Sequence, residues 1–254
     1  MMKERIYGPT KLMAPMIAAQ RIMFCPGCQH GMTQKIICEV LEEMDIAGRS
    51  IVVSGVGCTT ALGSVIGIDN IMYAHGPSPA VASGIKHVLG DDVVVFTQQG
   101  DGDCAAIGMG FLVGAAARSE KITVIMMNNG IFAMTGGQLA PTTLMGQMTT
   151  TTPEKRDSSF GYPLHVPELL ATIKGVAYSA RGAYTTPANY QRTKKYLKTA
   201  FQKQMDNVGL SFIEILSTCP VGWRMSPVEA IKWIEQSVIQ EFPLGEFRNV
   251  DRID

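Results

Sequence analysis

The chain has 254 residues, with 22 basic and 22 acidic side chains and 46% hydrophobic residues. A formal charge of zero leaves no basic footprint for nucleic acid, and no apolar run approaches the roughly 20 residues a membrane span needs. The length and apolar content suit one α/β domain, expected over 1–254. An N-terminus without a signal-like apolar core points to the cytoplasm.

Residues 1–20 show no periodicity and read as an arm lying on a partner. Phe24 to Gly31 reads FCPGCQHG. Its Cys-x-x-Cys lets Cys25 and Cys28 face one metal or cluster, and the same shape serves a redox pair. A helix is expected over Thr33–Met44, with Glu39, Glu42 and Glu43 on a solvated face. Cys38 falls inside that helix as a packed thiol. Ser50–Val56 reads as a strand ending in Gly57-Cys58. His75 sits in a Gly/Pro loop before a helix over Ala80–Leu89; a lone histidine is usually structural, but a loop at a ligand edge raises its weight as a site residue.

The stretch from Val93 to Gln138 is the centre of the chain. Val93–Thr97 is a short β-branched run suited to a strand buried on both faces. Gly100-Asp101-Gly102 breaks it, Ala105–Arg118 is a helix, and Ile122–Met127 is a second strand closed by Asn128-Asn129-Gly130. In such a unit both loops lie at the carboxyl edge of the sheet, where α/β proteins bind ligands. There Asp101 offers a carboxylate and Asn129 a neutral oxygen. With a backbone carbonyl and diphosphate oxygens they complete the octahedral shell of Mg²⁺. The glycines let N–H groups approach phosphate, with the helix dipole behind them. A Rossmann fingerprint fails, because Asp103, Cys104 and Ala105 follow Gly102 where a third glycine is required.

Thr135–Pro153 is long, Thr- and Gly-rich and without periodicity, the mark of a functional or flexible loop. Thr135 and Gly136 offer donors to a diphosphate. Further on come a helix at Pro167–Ile173, a strand at Val176–Arg181, a helix at Pro187–Gln204 with solvated lysines, and a strand at Leu210–Leu216. Ser226-Pro227-Val228-Glu229 opens a terminal helix by a capping box. Its stripe of Ile231, Ile234 and Val238 suits docking on a neighbour. Cys25, Cys28, Cys58 and Cys219 all fall at strand ends or in loops, so one edge would gather a Cys₄ site. Zinc and [4Fe–4S] both accept four thiolates, and spacing does not separate them.

Gly-Asp-Gly, followed after residues 103–128 by Asn-Gly-Ile, resembles the Mg²⁺–thiamine diphosphate motif. That resemblance assigns the metal to Asp101, Asn129 and the carbonyl of Ile131. Met-Thr-Gly-Gly-Gln, Cys-Pro-Gly-Cys-x-His-Gly, Gly-Val-Gly-Cys, His-Gly-x-x-Pro-Ala-Val-Ala and Ser-Thr-Cys-Pro extend the likeness. They occur in the order seen in 2-oxoacid:ferredoxin oxidoreductase β subunits. Gln29 and Pro77 stand where relatives often have Gly and Arg.

The resemblance implies a doubly wound, mostly parallel sheet and oxidative decarboxylation of a 2-oxoacid to an acyl-coenzyme A. Electrons would leave through a [4Fe–4S] cluster on Cys25, Cys28, Cys58 and Cys219 to ferredoxin. The expected cofactor contacts are Gly57, Cys58, His75, Gly100, Asp101, Gly102, Asp103, Asn129, Ile131, Thr135 and Gly136, with His75 and Cys58 as catalytic candidates. Expected partners are α, γ and δ subunits. The wording at Ala140-Pro141-Thr142-Thr143 favours 2-oxoisovalerate, then 2-oxoglutarate. Two alternatives stand beside this reading: a non-redox thiamine decarboxylase with structural zinc, and a non-catalytic assembly subunit.

Overall fold

A computed structural model describes residues 24–64 and 66–253, without the side chains of 62–64; the expected N-terminal arm lies outside them. In chain order the elements are α1 (His30–Glu43), β1 (Ser50–Ser54), β2 (Asp69–Met72), α2 (Ser78–Leu89), β3 (Val94–Gly100), α3 (Met109–Ala117), β4 (Thr123–Asn128), β5 (Ile131–Phe132) and β6 (Gln138–Leu139). Then follow α4 (Val166–Ala171), β7 (Val176–Ala183), α5 (Pro187–Met205), β8 (Leu210–Leu216), α6 (Pro220–Trp223), α7 (Pro227–Trp233) and β9 (Gly245–Asn249). Seven strands form one sheet in the order β2-β1-β3-β4-β8-β7-β9, parallel except for β9. Among the described residues no helix is long and apolar enough to cross a membrane.

β3, β4, β7 and β8 are buried along almost their whole length, as a sheet covered on both faces requires. One face carries α1 and α5, with Phe96 of β3 meeting Phe201 of α5 edge-on at 5.4 Å, a pair worth roughly 1 kcal/mol beyond its buried area. The other face carries α2, α3 and α4 over Val95, Val124 and Phe212. A third cluster joins Ala183 and Leu216 to Ile234, Val238 and Phe242.

Three expectations are corrected here. Two of the three glutamates of α1 are paired rather than simply solvated: Lys194 of α5 reaches Glu39 at 2.9 Å and Glu43 at 2.5 Å, and Lys198 reaches Glu43 at 2.6 Å. The two helices lie side by side on one sheet face, so acidic and basic flanks meet. Such half-exposed pairs are each worth about 0–1 kcal/mol. The stripe of the terminal helix is also spent within the chain, since Ile234 and Val238 are buried in the third cluster. Finally, the helix after Gly102 is not continuous. The chain turns helical at Asp101, widens into a π turn at Asp103–Ile107, and resumes as α3 beyond Gly108. A Cβ on Gly108 would lie 2.4 Å from the Asp103 carbonyl and 2.7 Å from that of Gly76.

The capping box of α7 forms as expected, with Ser226 N–H donating to Glu229 at 2.8 Å and Glu229 N–H to Ser226 Oγ at 3.3 Å. Ser226→Ala should therefore lower unfolding free energy by about 1 kcal/mol in a urea titration. A shift within error would mean that packing of Ile234 and Val238 alone sets this helix.

Candidate cofactor and cluster site

The carboxyl ends of β1, β3 and β4 open onto a cleft of about 190 Å³. Its wall includes Gly57, Cys58, His75, Gly100, Asp101, Gly102, Asp103, Asn129, Ile131 and Thr135, so ten of the eleven expected contacts converge. Gly136 is not part of the lining; it is exposed beyond Thr135. His30, Thr59, Val56 and the run Phe132–Met134 complete the wall.

Asp101 is 1% exposed. Its carboxyl is pushed up to about 7 by burial, against hydrogen bonds from Thr142 and from backbone, and the charge of Glu214 adds to the push. Thr142 donates to Asp101 at 2.5 Å, while the next residue, Thr143, donates to the Gly130 carbonyl at 2.5 Å. Two adjacent threonines thus tie the Asp101 loop to the Asn129 turn. Their segment is fixed in turn by buried Arg156, whose guanidinium donates to the carbonyls of Pro141 and Thr143. The Thr-rich loop is an ordered brace, and no local pattern in the sequence marks which of its threonines do the bracing. Across the cleft, a Cβ on Gly102 would come within 2.3 Å of the Phe132 ring, so that position accepts only glycine without rearrangement.

His75 donates from Nδ1 to the Val56 carbonyl at 2.8 Å. A carbonyl only accepts, so the neutral ring carries its proton on Nδ1 and leaves Nε2 an acceptor. Asp103 stands 3.2 Å from the same Nδ1, and also accepts from Gly76 N–H and from Gln99 at 3.2 Å. Its carboxylate is thereby committed to holding the His75–Gly76 loop. Burial raises its ionisation, opposed by His75 whenever that ring is protonated and by the hydrogen bonds from Gln99 and Gly76.

Cys25, Cys28, Cys58 and Cys219 act on one another electrostatically. Burial pushes Cys28 up to about 12, opposed by a backbone N–H of His30 and reinforced by Cys219, Cys58 and Cys25. Burial pushes Cys219 up to about 11 and raises Cys58, with neighbouring thiols adding in each case. Four thiolates here repel one another unless a cationic centre joins them. The loops that carry them are stitched together: Thr218 Oγ1 donates to the Gly27 carbonyl at 2.7 Å, Thr218 N–H to Gln29 at 3.2 Å, and His30 Nδ1 meets Ser217 Oγ at 3.1 Å. Gln29 is therefore a strut between the cysteine-bearing loops, and buried His30, pushed down to about 4, is neutral. Cys38 and Cys104 are fully buried, in the cores on opposite faces of the sheet.

The cleft lies at the carboxyl edge of a parallel sheet, and residues 55–215 match the family described as "Thiamine pyrophosphate enzyme, C-terminal TPP binding domain". The chain is 39% identical over 227 residues to a ketoisovalerate oxidoreductase subunit of Methanothermobacter thermautotrophicus, covering 89% of this chain and 47% of that one. It is 34% identical over 226 residues to a 2-oxoglutarate synthase subunit of Methanocaldococcus jannaschii, covering 85% and 78%. A solved 2-oxoglutarate:ferredoxin oxidoreductase from Magnetococcus marinus superposes with a TM-score of 0.75 at 22% identity, over 98% of this chain and 87% of that one. The chain belongs to the β-subunit family of 2-oxoacid:ferredoxin oxidoreductases. It spans about half the length of the ketoisovalerate relative.

Proposed function

We propose that this chain is the thiamine diphosphate-binding β subunit of a coenzyme A-acylating 2-oxoacid:ferredoxin oxidoreductase, working with α, γ and δ subunits. The observation that carries the reading is the double position of Cys58, in the cleft wall beside Asp101 and among the four coupled thiols. Thiamine diphosphate supplies the electron sink that allows a 2-oxoacid to lose CO₂, and the protein supplies position and electrostatics. Asp101, Asn129 and the Ile131 carbonyl would hold Mg²⁺, and Gly100, Gly102 and Thr135 would border the diphosphate. His75, held through Nδ1 in the cleft wall, would offer Nε2 to the reacting end.

The four thiols suit [4Fe–4S] better than zinc. A cluster beside the cleft would take up the electrons that oxidative decarboxylation releases, whereas redox-inert zinc would not. Cys58 would be the electron exit from the cleft. Among candidate substrates 2-oxoisovalerate fits best. Val56, Phe132, Ala133 and Met134 give the cleft an apolar side, which suits the branched aliphatic side chain of 2-oxoisovalerate.

Among the described residues no glutamate lines the cleft. Activating the cofactor's aminopyrimidine requires a buried carboxyl opposite the diphosphate end. Glu214, in core strand β8, is already bound by Arg181 and Asn128. A partner chain would supply the missing group. The cluster-loaded chain should thus show no turnover alone and regain it with its partners, when assayed on a panel of 2-oxoacids with coenzyme A and a viologen acceptor. Comparable turnover by the lone chain would overturn the heteromeric reading, and a complex without iron would overturn the redox one.

A further inference from the structure

The turn that carries Asn129 and Ile131 takes its shape from side chains behind it. Gly130 lies in the left-handed region at φ +69°. Its N–H donates to Asn128 Oδ1 at 2.9 Å, its carbonyl accepts from Thr143, and the Asn129 carbonyl accepts from Trp223 Nε1 at 2.9 Å. Strand pairing fixes none of these three groups, so a change in a side chain behind the turn moves the turn itself.

Asn128 is the innermost of those side chains, and it is anchored in turn. Its Nδ2 donates to Glu214 Oε1 at 2.5 Å, and Arg181 Nε donates to Glu214 Oε2 at 2.6 Å. Glu214 and Arg181 are wholly buried. The guanidinium grips Glu168 with both terminal nitrogens, at 2.7 and 2.6 Å, and donates to the Pro243 carbonyl at 3.0 Å. Its Cζ lies over the Phe242 and Phe247 rings, 5.2 and 5.0 Å from their centroids. We infer that Arg181, Glu214 and Asn128 are positioning residues, a buried relay that sets the divalent-cation-binding turn from the far side of the sheet edge.

The inference rests on the cofactor reading above, with the turn as a metal site. Buried ion pairs are poor stabilisers, because desolvation offsets most of the attraction. This one ends on a backbone N–H between two metal ligands, and its far end is clamped by two aromatic rings. Outer partners of a metal site orient its ligands, and losing one typically costs 10–100-fold in metal affinity.

The test uses the assembled complex with thiamine diphosphate present and Mn²⁺ as the probe, free ion being followed by EPR, with melting temperature measured in parallel. Asn128→Ala should weaken Mn²⁺ binding by roughly 10–100-fold. Glu168→Gln, which loosens only the outer end of Arg181, should lower the melting temperature and leave Mn²⁺ affinity unchanged. A role in stability alone would move the melting temperature in both variants and the affinity in neither. Should Asn128→Ala fail to fold, Asn128→Asp keeps the acceptor for Gly130 but sets a second carboxylate against Glu214, and it should weaken Mn²⁺ in the same range. Wild-type affinity in a folded Asn128 variant overturns the relay. Wild-type affinity in Asp101→Asn as well would instead sink the cofactor reading beneath it.

Discussion

Asp101→Asn should abolish Mg²⁺-dependent retention of thiamine diphosphate, weakening it by more than the roughly 100-fold that loss of an outer partner costs. The substitution keeps size and shape and removes the one carboxylate in the expected ligand set. Asp103 cannot substitute, since Gly76, Gln99 and His75 already engage it. The metal-free carboxyl also sets a pH dependence. Its folded value near 7 lies above the ordinary 3.8, so in the apo chain it removes stability progressively as pH rises from about 4 to 7. Over the same window the proton competes with the cation, and affinity should fall toward tenfold per pH unit below about 7. Calorimetric titration of the complex at pH 6 and pH 8, wild type against variant, reads both effects. Unchanged affinity in the variant would remove Asp101 from the site.

The central strands and the Asp101–Asn129 pairing were legible because both depend on local signals. Unbroken β-branched runs mark strands buried on two faces, and glycines mark where each strand stops. β2 and β9 left no such signal; they are short edge strands with half-exposed residues, and their pairing comes from the sheet rather than from their own sequence. The cross-chain ties were equally silent. Thr142, Gln29 and Arg181 act on partners 41, 189 and 33 residues away, and nothing in their neighbours announces it. The pairing of Glu39 and Glu43 is silent in sequence for the same reason. An acidic helix flank looks solvated until the basic flank of α5 is laid against it. The cysteines were an intermediate case, since strand-end positions put them on one edge while only the folded loops show how that edge is held.

Cys219→Ser should cost the cluster, although Cys219 lies 161 residues beyond Cys58 in the chain. Serine matches cysteine in size but not in softness as an iron ligand, so iron should fall from about four per chain toward three or fewer. The loop itself should survive the change. Thr218 still bonds Gly27 and Gln29, and Trp223 still reaches Asn129, so melting temperature of the apo chain should barely move while iron content and the EPR signal of the reduced form change together. That split separates a ligand from a core thiol. Cys38 and Cys104 offer no replacement, because each is buried beneath a different face of the sheet. The loss should also reach the cofactor. Gly222, one turn beyond Cys219, packs so closely that a Cβ there would come within 2.9 Å of the Cys219 sulfur and 2.4 Å of Ile131. The Cys219 loop and the Ile131 turn therefore share one contact, and on the proposed reading thiamine diphosphate affinity should drop along with iron. Full iron and an unaltered EPR signal in Cys219→Ser would take Cys219 out of the cluster, and the coupling would go with it.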